Sequence, residues 1–128
     1  IIVYLPEEKI VFCGDLLFYR STPACGSAYF QSWIDALTKL AEMDVTTFIP
    51  GHGSITDRAG LLECRDYLTL IYDEGKKGFA SGLSPRETAR TMSARDRIVP
   101  YSLAAQRTKQ KMLPGVKLRT RRWRSRRR

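Results

Sequence analysis

Apolar positions along this chain repeat with a period of two in some blocks and with a helical period in others, and the two kinds alternate. Ile1-Ile2-Val3-Tyr4-Leu5 is a short run of β-branched and aromatic residues, the pattern of a strand buried on both faces. Leu5-Pro6-Glu7-Glu8 predicts a type I turn with proline at its second position, and Ile10-Val11-Phe12-Cys13 resumes the run, which makes a hairpin. The second strand is expected to end at Gly14-Asp15, leaving a carboxylate where strand gives way to loop. An irregular connection follows through Leu16-Leu17-Phe18-Tyr19 to Ser27, with Pro23 and Gly26 inside it.

From Ser27, read as an N-cap, the positions Phe30, Trp33, Ile34, Leu37, Leu40 and Ala41 recur at helical spacing, with Gln31, Asp35, Lys39 and Glu42 on the other side. The spacing predicts an amphipathic helix whose Trp33 and Phe30 are core residues. Thr46-Thr47-Phe48-Ile49 then reads as a strand that Pro50 ends. A second helix is predicted from near Asp57 to about Gly75, its face formed by Leu61, Cys64, Leu68 and Ile71, with Lys76-Lys77-Gly78 and Ser81-Gly82 breaking it. Ser84-Pro85-Arg86-Glu87 is a capping box with proline at the first helical position, so a third helix runs from Pro85 to about Ser93. Beyond it the periodicity fades, although Ser102 to Met112 has helical character.

Strands separated by an amphipathic helix define an α/β class, and sites in such folds gather at strand ends. The 128 residues suit one compact domain, and 43% hydrophobic content suits a globular one. No apolar run reaches the roughly 20 residues of a membrane span. Because the chain opens at Ile1 within an apolar run, it reads as an excerpt or a processed product of a longer protein. Three cysteines, Cys13, Cys25 and Cys64, form neither a Cys-x-x-Cys pair nor a disulfide framework, which favours a reducing, cytoplasmic compartment.

The net charge of +9 is unevenly spread. Eight of the 22 basic residues lie between Lys117 and Arg128, where no acid occurs, so 22 − 8 = 14 basic residues face 13 acidic ones over the rest, a net of +1. Any affinity for anions therefore belongs to the tail. There, Arg121, Arg122, Trp123 and Arg124 are the candidates for gripping phosphates and stacking on a base, against the expectation that a like-charge run is a disordered, solvated end.

Candidate chemistry converges on two residues. His52, the only histidine, sits between Gly51 and Gly53 at the end of an apolar run, and Asp15 ends another such run 37 residues earlier. Imidazole and carboxylate are ligand types that suit zinc, although a Gly-Asp pair also commonly caps a turn.

Two stretches in this order and spacing, Phe12-Cys13-Gly14-Asp15-Leu16-Leu17-Phe18 and Ile49-Pro50-Gly51-His52-Gly53, with the Trp33, Ile34 and Leu37 helix between, resemble the C-terminal half of the metallo-β-lactamase superfamily. The resemblance covers roughly residues 1 to 75, reaching toward Ser93. It implies the C-terminal half of an αββα sandwich, a sheet plus two to three helices, from a hydrolase that commonly holds two zinc ions. By the same resemblance Asp15 would bridge both metals and His52 would bind the second. A hydroxide on the metals would then cleave an ester, thioester, lactam or phosphodiester in a small-molecule substrate.

One departure limits that reading. The family's His-x-His-x-Asp-His signature needs histidines that this chain does not contain, so most of the first metal site is absent and no catalytic residue beyond the two metal ligands is identified. A catalytic zinc keeps three protein ligands; Cys13 or Cys25 could supply a thiolate donor, although Cys13 reads first as a core residue. A half-sandwich should also carry an apolar face without a partner, formed by Ile2, Tyr4 and Val11 or by their alternate neighbours. The sequence thus divides into a partial metallo-β-lactamase-like domain over 1–93, a poorly defined extension over 94–116 and a basic tail over 117–128. The expected function is that of a metallohydrolase fragment, inactive alone, whose partner is the missing N-terminal half or a second copy. The alternative is a non-catalytic module that places its Arg-rich tail on nucleic acid or another anionic surface.

Overall fold

The computed structural model describes residues 1–93. In chain order the elements are β1 (Val3–Leu5), β2 (Ile10–Tyr19), α1 (Phe30–Glu42), β3 (Thr47–Gly53), α2 (Arg58–Ala80) and α3 (Pro85–Ser93). The expected second-half tail residues Arg121, Arg122, Trp123 and Arg124, and the helical stretch of Ser102 to Met112, lie outside the described residues. The class is α/β: among the described residues, one three-stranded sheet of order β1-β2-β3 with three helices.

β1 and β2 form the antiparallel hairpin, pairing Val3 with Phe12, Tyr4 with Val11 and Leu5 with Ile10. Its turn begins one residue later than the sequence suggested. The Lys9 amide donates to the Pro6 carbonyl at 3.3 Å, so proline holds the first position of the turn rather than the second. Lys9 closes the turn at φ 55, a left-handed conformation unusual for lysine, and its ammonium is held at 3.0 Å by the Asp44 carboxylate. The Lys9 carbonyl accepts from the amides of Thr46 and Thr47, which seats the start of β3 beside β2.

β3 runs parallel to β2, a pairing that requires a crossover, and α1 supplies it. Ile34, Leu37, Leu40 and Ala41 form the buried stripe of α1, while Leu61, Cys64 and Leu68 form that of α2. Both stripes close over Val11, Cys13, Leu17 and Phe48 on one face of the sheet. Phe48, Leu17, Leu37 and Leu61 are fully buried, and burying each such side chain stabilises by about 1.5–3 kcal/mol.

The opposite face is open among the described residues. β1 was expected to be buried on both faces, but Val3, Tyr4 and Leu5 are all exposed, because β1 is an edge strand and only its Tyr4 side turns toward the helices. The Tyr4 hydroxyl donates to the Asp44 carbonyl there. Val3, Leu5, Ile10, Phe12 and Ile49 share the other side by register, with Val3 53% and Phe12 42% exposed. The unpartnered set is therefore the alternate neighbours of Tyr4 and Val11, and Val11 itself is core.

Other boundaries also shift for physical reasons. β2 continues through Leu16 to Tyr19 instead of ending at Asp15, since Leu17 and Phe18 are buried and pull the chain back into the sheet. α1 starts at Phe30 and not at Ser27; Tyr29 occupies the cap position without a side-chain cap. α2 passes through Lys76-Lys77-Gly78 to Ala80. Gly78 is not a breaker but a contact point, because a Cβ there would collide with the Thr88 hydroxyl of α3. The α3 capping box forms as read, with the Ser84 amide donating to Glu87 at 2.9 Å and the Glu87 amide donating to the Ser84 hydroxyl at 3.3 Å. No helix among the described residues is long and apolar enough to cross a membrane.

Candidate functional site

The pairing of β2 with β3 is regular only in part. Phe12 pairs with Ile49, Gly14 with Pro50 and Phe18 with His52, so six steps along β2 face three along β3. The three extra residues must leave the ladder, and the resulting bulge carries Asp15 out beyond the sheet. Gly14 adopts φ 51 at its start, a conformation that glycine reaches without cost. Pro50, which lacks an amide hydrogen, lies opposite this irregular stretch, and this is why β3 passes through it to Gly53 instead of ending there.

The bulge brings Asp15 to His52. Asp15 Oδ1 lies 3.3 Å from His52 Nε2, with the two side chains 81% and 54% exposed. That separation exceeds the 2.7–2.9 Å or so of a charge-assisted hydrogen bond. Gly51 makes the approach possible: a Cβ on it would stand 2.6 Å from Asp15 Oδ1 and 2.7 Å from the Gly14 carbonyl carbon. The imidazole plane is set from below by Phe18, stacked at 4.6 Å between centroids and 9° between planes.

Trp33 was read from sequence as a core residue, yet it is only half-buried and serves the bulge. Its indole Nε1–H donates to the Leu16 carbonyl at 2.7 Å, and its ring meets Phe18 edge-on at 6.0 Å. Beside Asp15 lies an open cleft of about 360 Å³, walled by Phe18, Tyr29 and Trp33 with Ser27 and Ser32 at hydroxyl positions. Sequence reasoning missed Phe18 and Trp33 as site residues. The available signal was the break in alternation at Gly14-Asp15, after which Leu16-Leu17-Phe18 resumes apolar character, as a bulged strand does.

The cysteines do not join the pair. Cys13 is fully buried on the helix side, where burial first and nearby Cys64 second push its thiol up to about 11. Cys25 is half-buried, its thiol donating to the Pro23 carbonyl at 3.5 Å, and burial raises it as well. Among the described residues no three His, Cys, Asp or Glu side chains form a group able to hold a metal ion.

A carboxylate and an imidazole, exposed and side by side where β2 bulges against β3, are of the donor types that suit zinc. The model of the metallo-beta-lactamase superfamily matches residues 1–52, a span that contains both. Among solved structures, the chain is similar to the crystal structure of VMB-1 at pH 5.5, with 26% identity and a TM-score of 0.49. That match covers 56% of this chain and 35% of the other, so the chain spans about a third of the length of the structure it matches. No curated protein matches it.

Proposed function

We propose that this chain is the part of a zinc-dependent hydrolase that presents Asp15 and His52 to the metal centre, the other ligands coming from a missing N-terminal half or from a second copy. The observation that carries this reading is the 3.3 Å between Asp15 Oδ1 and His52 Nε2. Two donors bound at about 2.1 Å to a tetrahedral ion stand about 3.4 Å apart, so the pair already has the spacing of two ligands to one zinc. Exposure favours the same reading, since two polar groups paired only for stability gain little in water.

Each residue of the chain has a distinct part. Asp15 provides oxygen donors and a negative charge at the mouth of the cleft. His52 provides one nitrogen, its ring plane fixed by Phe18. Phe18, Tyr29 and Trp33 offer an apolar wall for the uncharged portion of a small substrate lying beside Asp15. Zinc, when bound, lowers the pKa of water toward neutrality and polarises the bond to be hydrolysed, which in this superfamily suits an ester, thioester, lactam or phosphodiester. Two ligands are one fewer than a catalytic zinc keeps, so the isolated chain binds the ion weakly and does not turn over substrate.

Zinc titration against a chromogenic chelator tests this. The chain alone should compete poorly, addition of the segment encoded upstream of Ile1 should raise affinity, and His52→Ala should then remove far more metal than Cys64→Ala. Tight stoichiometric zinc in the isolated chain, insensitive to His52→Ala, would assign the ligands elsewhere and end the proposal.

A further inference from the structure

We propose that Trp33 is a positioning residue for both Asp15 and His52, gripping the β2 bulge with its indole N–H and the imidazole platform with its ring. The significance of this for metal rests on the reading above; the positioning itself does not.

The argument starts from what a bulge lacks. Between Phe12 and Phe18 the strand carries three residues more than its partner, and those residues have no ladder of their own to fix them. A carboxylate on such a segment would sample many positions. Trp33, from the first turn of α1, closes that freedom at one point: its Nε1–H bond to the Leu16 carbonyl, 2.7 Å long, is at the short end of the N–H···O range and spans 17 residues of sequence. Leu16 is the residue directly after Asp15, so holding its carbonyl fixes the plane of the Leu16–Leu17 peptide, one residue beyond the carboxylate-bearing one, and limits how far the bulge can swing.

The second arm acts on the imidazole. Trp33 meets Phe18 at 64° and 6.0 Å, an edge-to-face contact, and Phe18 in turn stacks on His52. One indole therefore reaches Asp15 through one neighbour and His52 through another. Its own anchorage is firm, because Ile34 and Leu37 beside it on α1 are buried in the core. A bulky core filler would need only the ring; a positioning residue needs the N–H as well. Trp33→Phe separates the two, since it keeps an aromatic ring and deletes the donor.

Nuclear magnetic resonance of the full chain reads the outcome, because His52 is the only histidine and gives the only imidazole signals. In a Trp123→Phe background one indole N–H remains, that of Trp33. It should exchange slowly with solvent, and the His52 ring protons should show cross-peaks to the Phe18 ring and an upfield displacement from stacking. Trp33→Phe, at one fixed pH, should weaken those cross-peaks and move the His52 signals toward free imidazole, while Ile34→Val, a core change on the same helix, should leave them in place. Where the upstream segment restores zinc binding, Trp33→Phe should also lower zinc affinity about 10–100-fold, the usual cost of losing an orienting partner. If the His52 signals move and zinc affinity does not, positioning stands and the metal reading fails. Unmoved His52 signals in Trp33→Phe, or a rapidly exchanging Trp33 indole in the parent should the variant not fold, would overturn the proposal.

Discussion

Replacing Gly51 by alanine adds one methyl group at the point where β2 and β3 are closest, and its consequences can be worked from the contacts. The new Cβ would meet Asp15 Oδ1 at 2.6 Å, the Gly14 carbonyl carbon at 2.7 Å and the Gly14 oxygen at 2.8 Å, all below any real Cβ contact. The carboxylate oxygen is the end of a flexible side chain and moves cheaply. The Gly14 atoms are backbone and do not, so β2 must shift at its bulge. Overpacking of this kind costs about 1–3 kcal/mol. Against it, alanine restricts the unfolded chain, which returns about 0.4–1 kcal/mol, and Gly51 does not use the left-handed backbone that would penalise alanine. The net loss is about 0–2.6 kcal/mol, centred near 1. With a urea slope of about 1 kcal/mol/M for a small domain, the midpoint falls by roughly 1 M at the centre of that range.

The control has the opposite sign. Gly75 lies within α2, and a Cβ there meets nothing within 4 Å, so Gly75→Ala should gain about 0.5–1 kcal/mol as a simple helix substitution. Urea unfolding of the two variants measures both. The lone histidine signal supplies a second readout, because moving Asp15 away from His52 changes the field at the imidazole. If Gly51→Ala is as stable as the parent and leaves the His52 signal unmoved, the crowding inferred between the strands is wrong, and with it the reason for a glycine before His52.

Other outcomes follow from individual side chains. Hydrogen bonds from the Ser84 hydroxyl first and the Ser84 amide second hold the Glu87 carboxyl below its ordinary range, so its contribution to α3 is present above the unfolded carboxyl pKa and lost as pH falls through the lower folded value. Amide exchange in α3 should accelerate across that acidic window, and Glu87→Gln should flatten the step. The Cys13 thiol, buried and pushed up to about 11, should resist iodoacetamide at neutral pH until urea exposes it, and rapid labelling of the folded chain would contradict its core position. Phe12→Asp should shift the urea midpoint of the isolated chain little, within about 1 kcal/mol, and reduce its binding of a hydrophobic dye. Val11→Asp, one residue earlier but fully buried, should unfold it; equal damage from both would refute the open face.

Much of this arrangement is legible in the sequence because it depends on local patterns. The α1 stripe of Ile34, Leu37 and Ala41 and the capping box of Ser84 and Glu87 are decided within a few residues, and both form where the pattern puts them. Strand limits were less legible, because partners decide them. Leu16 to Tyr19 rejoins the sheet after a bulge that exists only relative to β3, and Pro50 is tolerated only because of what it faces. β1 reads as a buried strand from its apolar residues alone, but burial depends on which strands flank it, and among the described residues it has a neighbour on one side. The closeness of Asp15 to His52 was implied by the family resemblance and not by their spacing, and the roles of Phe18 and Trp33 needed distances that no periodicity contains.

Two features of the described residues, the donor pair and the open sheet face, are independent of each other and lead to the same expectation under the proposed function. Asp15 and His52 offer one ligand fewer than a catalytic zinc keeps. Val3, Leu5 and Phe12 leave apolar surface exposed on the face away from α1 and α2. Coordination is a matter of a few atoms and burial a matter of area, so no single substitution within this chain meets both needs. A second α/β layer laid on the open face would meet the area requirement directly, and its strand ends would then lie near Asp15 and His52, where further ligands are needed. Phe12 separates the two contributions. Phe12→Asp leaves the donor pair intact on the far side of Gly14, so if it abolishes the gain in zinc affinity from the upstream segment while His52 signals stay in place, docking through the sheet face is what completes the metal site.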